Sequence, residues 1–254
     1  MRCADMRDAW NRIAPHYQDE HKIPTEFVHW GPHCPNEDHL KLMGDVRGKR
    51  VLEIGCGGGQ NTIAVARRGA IATGIDLSDE QVKFARGLAK QEGVETTFLR
   101  RNVEKLSPIA DASQDVVFSA RALEFVERMD RCLCEVARVL RPGGVLVFSI
   151  EHPFWYCLAD GDMRVESSYF EGPHSYQWVQ TGLRPRPSVY EYHRSVGEWH
   201  HLLREAGLQV LDIVEPEPVE SGSGQDWRGY YDPERQRMVP ANMIWRAAKP
   251  KRGR

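Results

Sequence analysis

The segment Val51-Leu52-Glu53-Ile54-Gly55-Cys56-Gly57-Gly58-Gly59-Gln60 holds the residue types best suited to gripping a ligand. An apolar run ends in Gly55, Gly57 and Gly59, which let the backbone turn sharply and bring a ligand against the main chain. Asp76 follows about 20 positions on, where a carboxylate at the tip of a second strand suits ribose hydroxyls. A dinucleotide fingerprint, G-x-G-x-x-G, would need glycine at position 60, where this chain has Gln60. The spacing therefore favours a nucleoside-type ligand over a pyrophosphate one and argues against a nicotinamide-dependent oxidoreductase. No G-x-x-x-x-G-K-[ST] occurs, so a P-loop is excluded.

Proton-transfer chemistry needs a different set. The chain has ten histidines, none between positions 40 and 151. His152 directly follows an apolar strand pattern and is the first candidate base, His193 the second, and Glu124 in Leu123-Glu124-Phe125-Val126 the third. His29, His33, Cys34 and His39 match no standard zinc spacing, and no metal is expected.

These residues must be positioned by a larger scaffold. Residues 50–54, 71–75, 95–99, 115–118 and 145–150 read as strands. Helical patterns lie between them at 62–66, after Ser78, and at 130–140. Ser78-Asp79-Glu80-Gln81 has the form of a capping box, and Arg141-Pro142-Gly143-Gly144 that of a tight turn. A helix at 194–205 and strands at 208–214 and 241–247 complete the pattern. Strands alternating with helices predict an α/β fold with a mainly parallel, doubly wound sheet.

Two stretches break the rhythm. Residues 1–49 form an N-terminal extension, helical around 6–17, and residues 152–193 form a long insertion after strand five. The insertion gathers Phe154, Trp155, Tyr156, Tyr169, Phe170, Tyr176, Trp178, Tyr190 and Tyr192 with His152, His174 and His193. A long loop rich in polar-tipped aromatics predicts a lid over an apolar or aromatic acceptor.

In 254 residues, 41% hydrophobic and 28% charged, a sizeable core is available. The formal net charge of -2 lacks the basic field of a phosphate-binding protein, so nucleic acid is not the expected partner. The basic residues Lys249, Lys251, Arg252 and Arg254 read as a short solvated tail. No apolar run is long enough to cross a membrane. The six scattered cysteines read as reduced thiols, and the expected location is cytoplasmic.

Three motifs in order carry a family likeness: V-L-E-I-G-C-G-G-G-Q at 51–60, I-D-L-S at 75–78 and R-V-L-R-P-G-G at 138–144. The chain resembles the class I S-adenosylmethionine-dependent methyltransferases, most nearly their small-molecule, quinone-biosynthesis-like subgroup (methyltransferase type 11). That subgroup's W-(x)n-A-x-x-Y opening is matched by Trp10, Ala14 and Tyr17. The resemblance implies a Rossmann-like, seven-stranded sheet, with a methyltransferase domain over 50–254, and S-adenosyl-L-methionine as cofactor. It further implies cofactor contacts from Tyr17, Glu53, Gly55, Cys56, Gly57, Gly59, Gln60, Asp76, Leu77, Gln81, Asn102, Val103, Ser119 and Ala120, and Trp30, in His29-Trp30-Gly31-Pro32, reads as closing over that cofactor. Asn102 stands where the family usually has Asp. The implied partner is a small-molecule acceptor methylated on O, N or C, with the protein a monomer or homodimer. An RNA or protein methyltransferase, or a non-catalytic cofactor-binding protein, is the alternative.

Overall fold

The structure, a computed structural model, describes residues 3–177, 183–220 and 231–251. Trp178 of the aromatic group and Arg252 and Arg254 of the basic tail lie outside the described residues.

A seven-stranded sheet organises the chain. Its strands are β1 (Arg50–Ile54), β2 (Ile71–Asp76), β3 (Thr97–Arg100), β4 (Gln114–Ala120), β5 (Leu140–Glu151), β8 (Gln209–Val214) and β9 (Asn242–Ala248). They run in the order β3-β2-β1-β4-β5-β9-β8. The first five are parallel, while β9 is antiparallel to both β5 and β8. Strands β6 (His174–Gln177) and β7 (Ser188–Glu191) form a separate antiparallel ribbon inside the insertion. The strand order reverses between β1 and β4, and ligands of such sheets sit outside the strand C-termini at that point.

The central strands are apolar on both faces because helices cover both. On one side Leu52, Ile54, Val117, Phe148 and Trp245 pack with α5 (Met129–Val139) and α6 (Val196–Glu205). On the other, Val51, Val116, Phe118 and Val147 pack with α3 (Gln60–Arg67) and the extension's Val28 and Trp30. Helix α4 (Asp79–Gln91) completes that layer through Val82 and Ala85, packed against Phe98 of β3.

The extension is helical over α1 (Cys3–His21), longer than its predicted core, with a short α2 (Glu37–Leu40) beyond it. Helix α1 packs its Met6, Ala9 and Ile13 against Val189 of the ribbon and reaches α4 through Arg7–Asp79. It thus ties the insertion to α4.

Three local expectations are corrected. At α4, Ser78 Oγ accepts from the Gln81 amide at 3.1 Å, but the Ser78 amide donates to Asp76 Oδ1 at 2.8 Å. Gln81 is turned away to accept from Gln18 at 2.8 Å, so the reciprocal half of the box is absent. The complete capping box is at α6, between Ser195 and Glu198. The Arg141–Gly144 stretch is incorporated into β5 through a register shift, with the Gly143 amide bonded to Lys249 O at 2.8 Å. Lys249 itself is no solvated tail residue: its ammonium donates to Ala137 O and Leu140 O, at the carbonyl end of α5.

Candidate active site

The loops after β1, β2 and β4 open onto one cavity of about 1130 Å³, with α1 on one side and the insertion on another. The glycine bend forms its floor. Gly55 has φ 70°, and a β-carbon there would lie 2.3 Å from the Ala122 side chain; Gly57 has φ 51° but open space where its β-carbon would be. Of these two, Gly57 is the one where an added side chain would meet only open space.

The Gly57 amide donates to Asp76 Oδ2 at 2.9 Å, while the Ser78 amide takes Oδ1. Burial raises the Asp76 pKa, and these backbone N–H groups oppose the rise. Leu77, Asn102 and Val103 line the cavity beside it. Asn102 accepts the Glu104 amide on its carboxamide oxygen at 2.9 Å, which fixes the side chain. Behind the bend, Ser119 Oγ is fully buried without a hydrogen-bond partner among the described residues.

Three glutamines close the bend toward α1. Gln60 donates to Gln18 at 2.6 Å, and Gln18 donates to Gln81 at 2.8 Å. Tyr17, the neighbour of Gln18, also lines the cavity, and burial pushes its hydroxyl up to about 12. Glu53, at the end of β1, accepts from the Thr62 hydroxyl. Burial pushes its carboxyl up to about 8, which favours the protonated form.

Of the expected cofactor residues, Tyr17, Glu53, Gly55, Cys56, Gly57, Gln60, Asp76, Leu77, Gln81, Asn102, Val103 and Ala120 meet at this cavity. Three do not line it. Trp30 is wholly buried, edge-on to Phe118, and its indole donates to Glu37 at 3.2 Å, so it belongs to the core. Gly59 starts α3 at φ 81°, and a β-carbon there would lie 2.6 Å from the Phe98 ring; its absence serves helix packing. Ser119 is one layer below.

The candidate bases divide as sharply. Glu124 lines the cavity. His152 does not: its Nδ1 accepts the Phe154 amide at 3.1 Å and its Nε2 meets the exposed Glu215 at 2.8 Å. Burial lowers its pKa, and the ring's two nitrogens are engaged structurally. His193 lies behind Tyr156, stacked at 5.0 Å, with Nε2 on Tyr169 O. Position after a strand fixed where these backbones run, whereas packing turned both rings elsewhere.

The aromatic insertion also splits. Tyr156 and Tyr192 line the cavity with His174, whereas Trp155 is buried and Phe170 is 90% exposed. Trp10 and Phe125, edge-on at 5.2 Å, add aromatic wall from α1 and from the turn after β4.

One wall was not anticipated. Arg121 follows β4 at φ 54°, its amide bonded to Ser149 O at 3.1 Å. Its guanidinium meets Glu124 and Glu151 at 3.1 Å each and the Tyr231 hydroxyl at 2.6 Å. Glu191, from the ribbon, faces the same group. The place of Arg121 and Glu151 at the ends of β4 and β5 was a usable signal; nothing local marks Glu191 or Tyr231.

Comparison with known proteins follows the same lines. Residues 52–148 match the family model described as a methyltransferase domain. The chain is 34% identical over 154 residues to a demethylmenaquinone methyltransferase of Tropheryma whipplei (strain Twist), covering 59% of this chain and 61% of that protein. It is 32% identical over 208 residues to a ubiquinone biosynthesis O-methyltransferase of Pseudomonas putida (strain GB-1), covering 81% and 79%. A crystal structure of an S-adenosylmethionine-dependent methyltransferase from Mesorhizobium loti superposes with a TM-score of 0.66 at 26% identity, covering 82% of this chain and 94% of that one.

Proposed function

The chain belongs to the class I S-adenosylmethionine-dependent methyltransferases, and on that premise we propose that it moves a methyl group from S-adenosylmethionine to a small organic acceptor held beneath the insertion. The observation that carries this reading is the Gly57–Asp76 hydrogen bond across a bend of bare backbone at the cavity floor. The residues fit the cofactor: a carboxylate with spare lone pairs for a ribose diol, an apolar Leu77 beside it, and the bare backbone of Gly57 across the bend.

When bound, the cofactor supplies an electrophilic methyl on a sulfonium sulfur. The protein's task is then mainly positioning, holding acceptor and methyl within about 3–3.5 Å and on axis. In this reading Asp76 accepts the ribose hydroxyls, and Leu77 and Val103 flank the base with Asn102 at its edge. Gly55 to Gly57 lie against the amino-acid end with Glu53. Gln18, Gln60 and Gln81 exclude water from that end by bonding one another. Glu124 is the candidate base at the acceptor side.

Residues 1–49 serve as a cap and 152–193 as the substrate lid in this proposal. The protein is taken as a monomer or homodimer, and the net charge of -2 supports a partner other than nucleic acid. No helix among the described residues is long and apolar enough to cross a membrane, and the five described cysteines are free thiols, which supports a cytoplasmic setting. Calorimetry with S-adenosylhomocysteine tests the cofactor, and transfer of labelled methyl to a library of phenols, amines and quinones tests the reaction. Failure to bind S-adenosylhomocysteine at millimolar concentration overturns the proposal.

A further inference from the structure

We propose that the acceptor is an amine, bound as an ammonium by a carboxylate wall formed by Glu124, Glu151 and Glu191. This rests on the reading that the cavity floor holds the methyl donor. Three glutamates from three separated segments converge there on a single guanidinium, that of Arg121. Four of the five N–H donors of Arg121 are engaged, by Glu124, Glu151, Tyr231 and Asn242, which leaves little for a carboxylate or phenolate substrate. Glu151 is satisfied by Arg121 and the Tyr231 hydroxyl.

The other two acids are left over. Glu124 is 8% exposed; its Oε1 faces Arg121, but its Oε2 is buried without a hydrogen-bond partner. The half-buried Glu191 carboxylate makes no hydrogen bond or ion pair with any described residue, yet it borders the cavity. A buried carboxylate without a partner is costly, and one guanidinium offsets the charge of only one of the three, so the others ionise readily only with a further cation beside them. A cation in the cavity would supply the missing charge and donors. The aromatic neighbour Tyr156 adds a ring face suited to an ammonium or its alkyl stem. Burial and mutual repulsion raise the pKa of both Glu124 and Glu191, which suits carboxylates that must take a proton.

Proton uptake is what the reaction needs, because an ammonium has no lone pair. The acceptor gives one N–H proton to Glu191 or Glu124. The freed nitrogen lone pair then forms the new N–C bond to the methyl, as the C–S electron pair stays on sulfur. The products are a methylated ammonium, neutral S-adenosylhomocysteine and one protonated carboxyl, which returns its proton to solvent on opening.

The test uses full-length protein loaded with S-adenosylhomocysteine, and measures binding of phenethylamine and tryptamine against 2-phenylethanol, 3-phenylpropionate and catechol. Labelled-methyl transfer from S-adenosylmethionine is followed for the same compounds. The expected result is binding and N-methylation of the amines. Glu191→Gln should lower their kcat/KM at least about 30-fold, with S-adenosylhomocysteine affinity retained as a check on folding. Glu124→Gln gives a second, independent reading of the same loss. Preference for catechol or the carboxylate, no binding of either amine to the loaded protein, or amine turnover unchanged in both variants overturns the inference while leaving the methyltransferase reading standing. Failure of S-adenosylhomocysteine itself to bind removes both.

Discussion

The Asp76 carboxylate and the Gly57 amide, 2.9 Å apart, join the tips of two neighbouring parallel strands. Ser78 N–H holds the second oxygen, so the carboxylate is oriented before any ligand arrives. Replacing it with alanine removes the acceptor for a ribose diol and one tie across the bend. Asp76→Ala should weaken S-adenosylhomocysteine binding by about 100-fold or more, two charge-assisted hydrogen bonds at roughly 1.5–3 kcal/mol each being lost. Calorimetry measures this; affinity within threefold of the parent would sink the assignment.

Two glycines of the bend should fail differently. Gly55→Ala drives a β-carbon to within 2.3 Å of Ala122 and should lower Tm markedly. Gly57→Ala meets no atom and carries only the strain of φ 51°, about 1–2 kcal/mol. Its larger effect should be on cofactor affinity, because the methyl group enters the cavity. Melting curves with and without S-adenosylhomocysteine separate the two.

Gln18 carries the link between α1 and the bend. Gln18→Ala deletes both amide bonds, to Gln60 and Gln81, and should speed cofactor release about 5- to 30-fold, for roughly 1–2 kcal/mol. Stopped-flow release of S-adenosylhomocysteine reads it directly. An unchanged rate means that α1 does not hold the cofactor in.

Glu53 gives a pH signature. Its folded pKa of about 8 lies above the unfolded carboxyl's, about 4.3. The folded state therefore holds the proton more tightly, and the associated stability is full below about pH 4 and lost as pH rises through 8. Glu53→Gln, always neutral, should gain on the parent between pH 5 and pH 8 and then level off. Denaturant midpoints of ligand-free protein at pH 5, 7 and 9 check this; a pH-independent difference is the contrary result.

His152→Ala should now leave turnover within about threefold, since the ring serves Phe154 and Glu215 rather than the cavity. Stability should fall by about 1–2 kcal/mol, a Tm loss of roughly 2–8 °C. A large fall in kcat with Tm unchanged would return His152 to the chemistry.

Much of the scaffold was legible because its signals are local. An apolar run closed by glycine gave β1, one ending at Asp76 gave β2, and Ser78 announced α4 three residues before Gln81. The glycine bend with Asp76 was legible for the same reason, both lying at strand ends. What escaped depends on partners far away in the chain. Gln81 looked like half a capping box until Gln18, 63 positions earlier, claimed it. His152 looked like a base until Glu215 drew its ring outward. Glu191 reaches the cavity only because β7 packs on α1, a contact with no periodicity to betray it.

Strand β9 has a consequence for how the molecule is made. It follows the other described strands in sequence yet occupies an interior place, bridging β5 and β8. During synthesis the catalytic half can assemble while β5 still shows a bare edge carrying Val147 and Phe148. That edge is a sticky template until residue 248 emerges to cover it. Shortening the chain by its final seven sheet residues would therefore remove a keystone rather than trim a fringe.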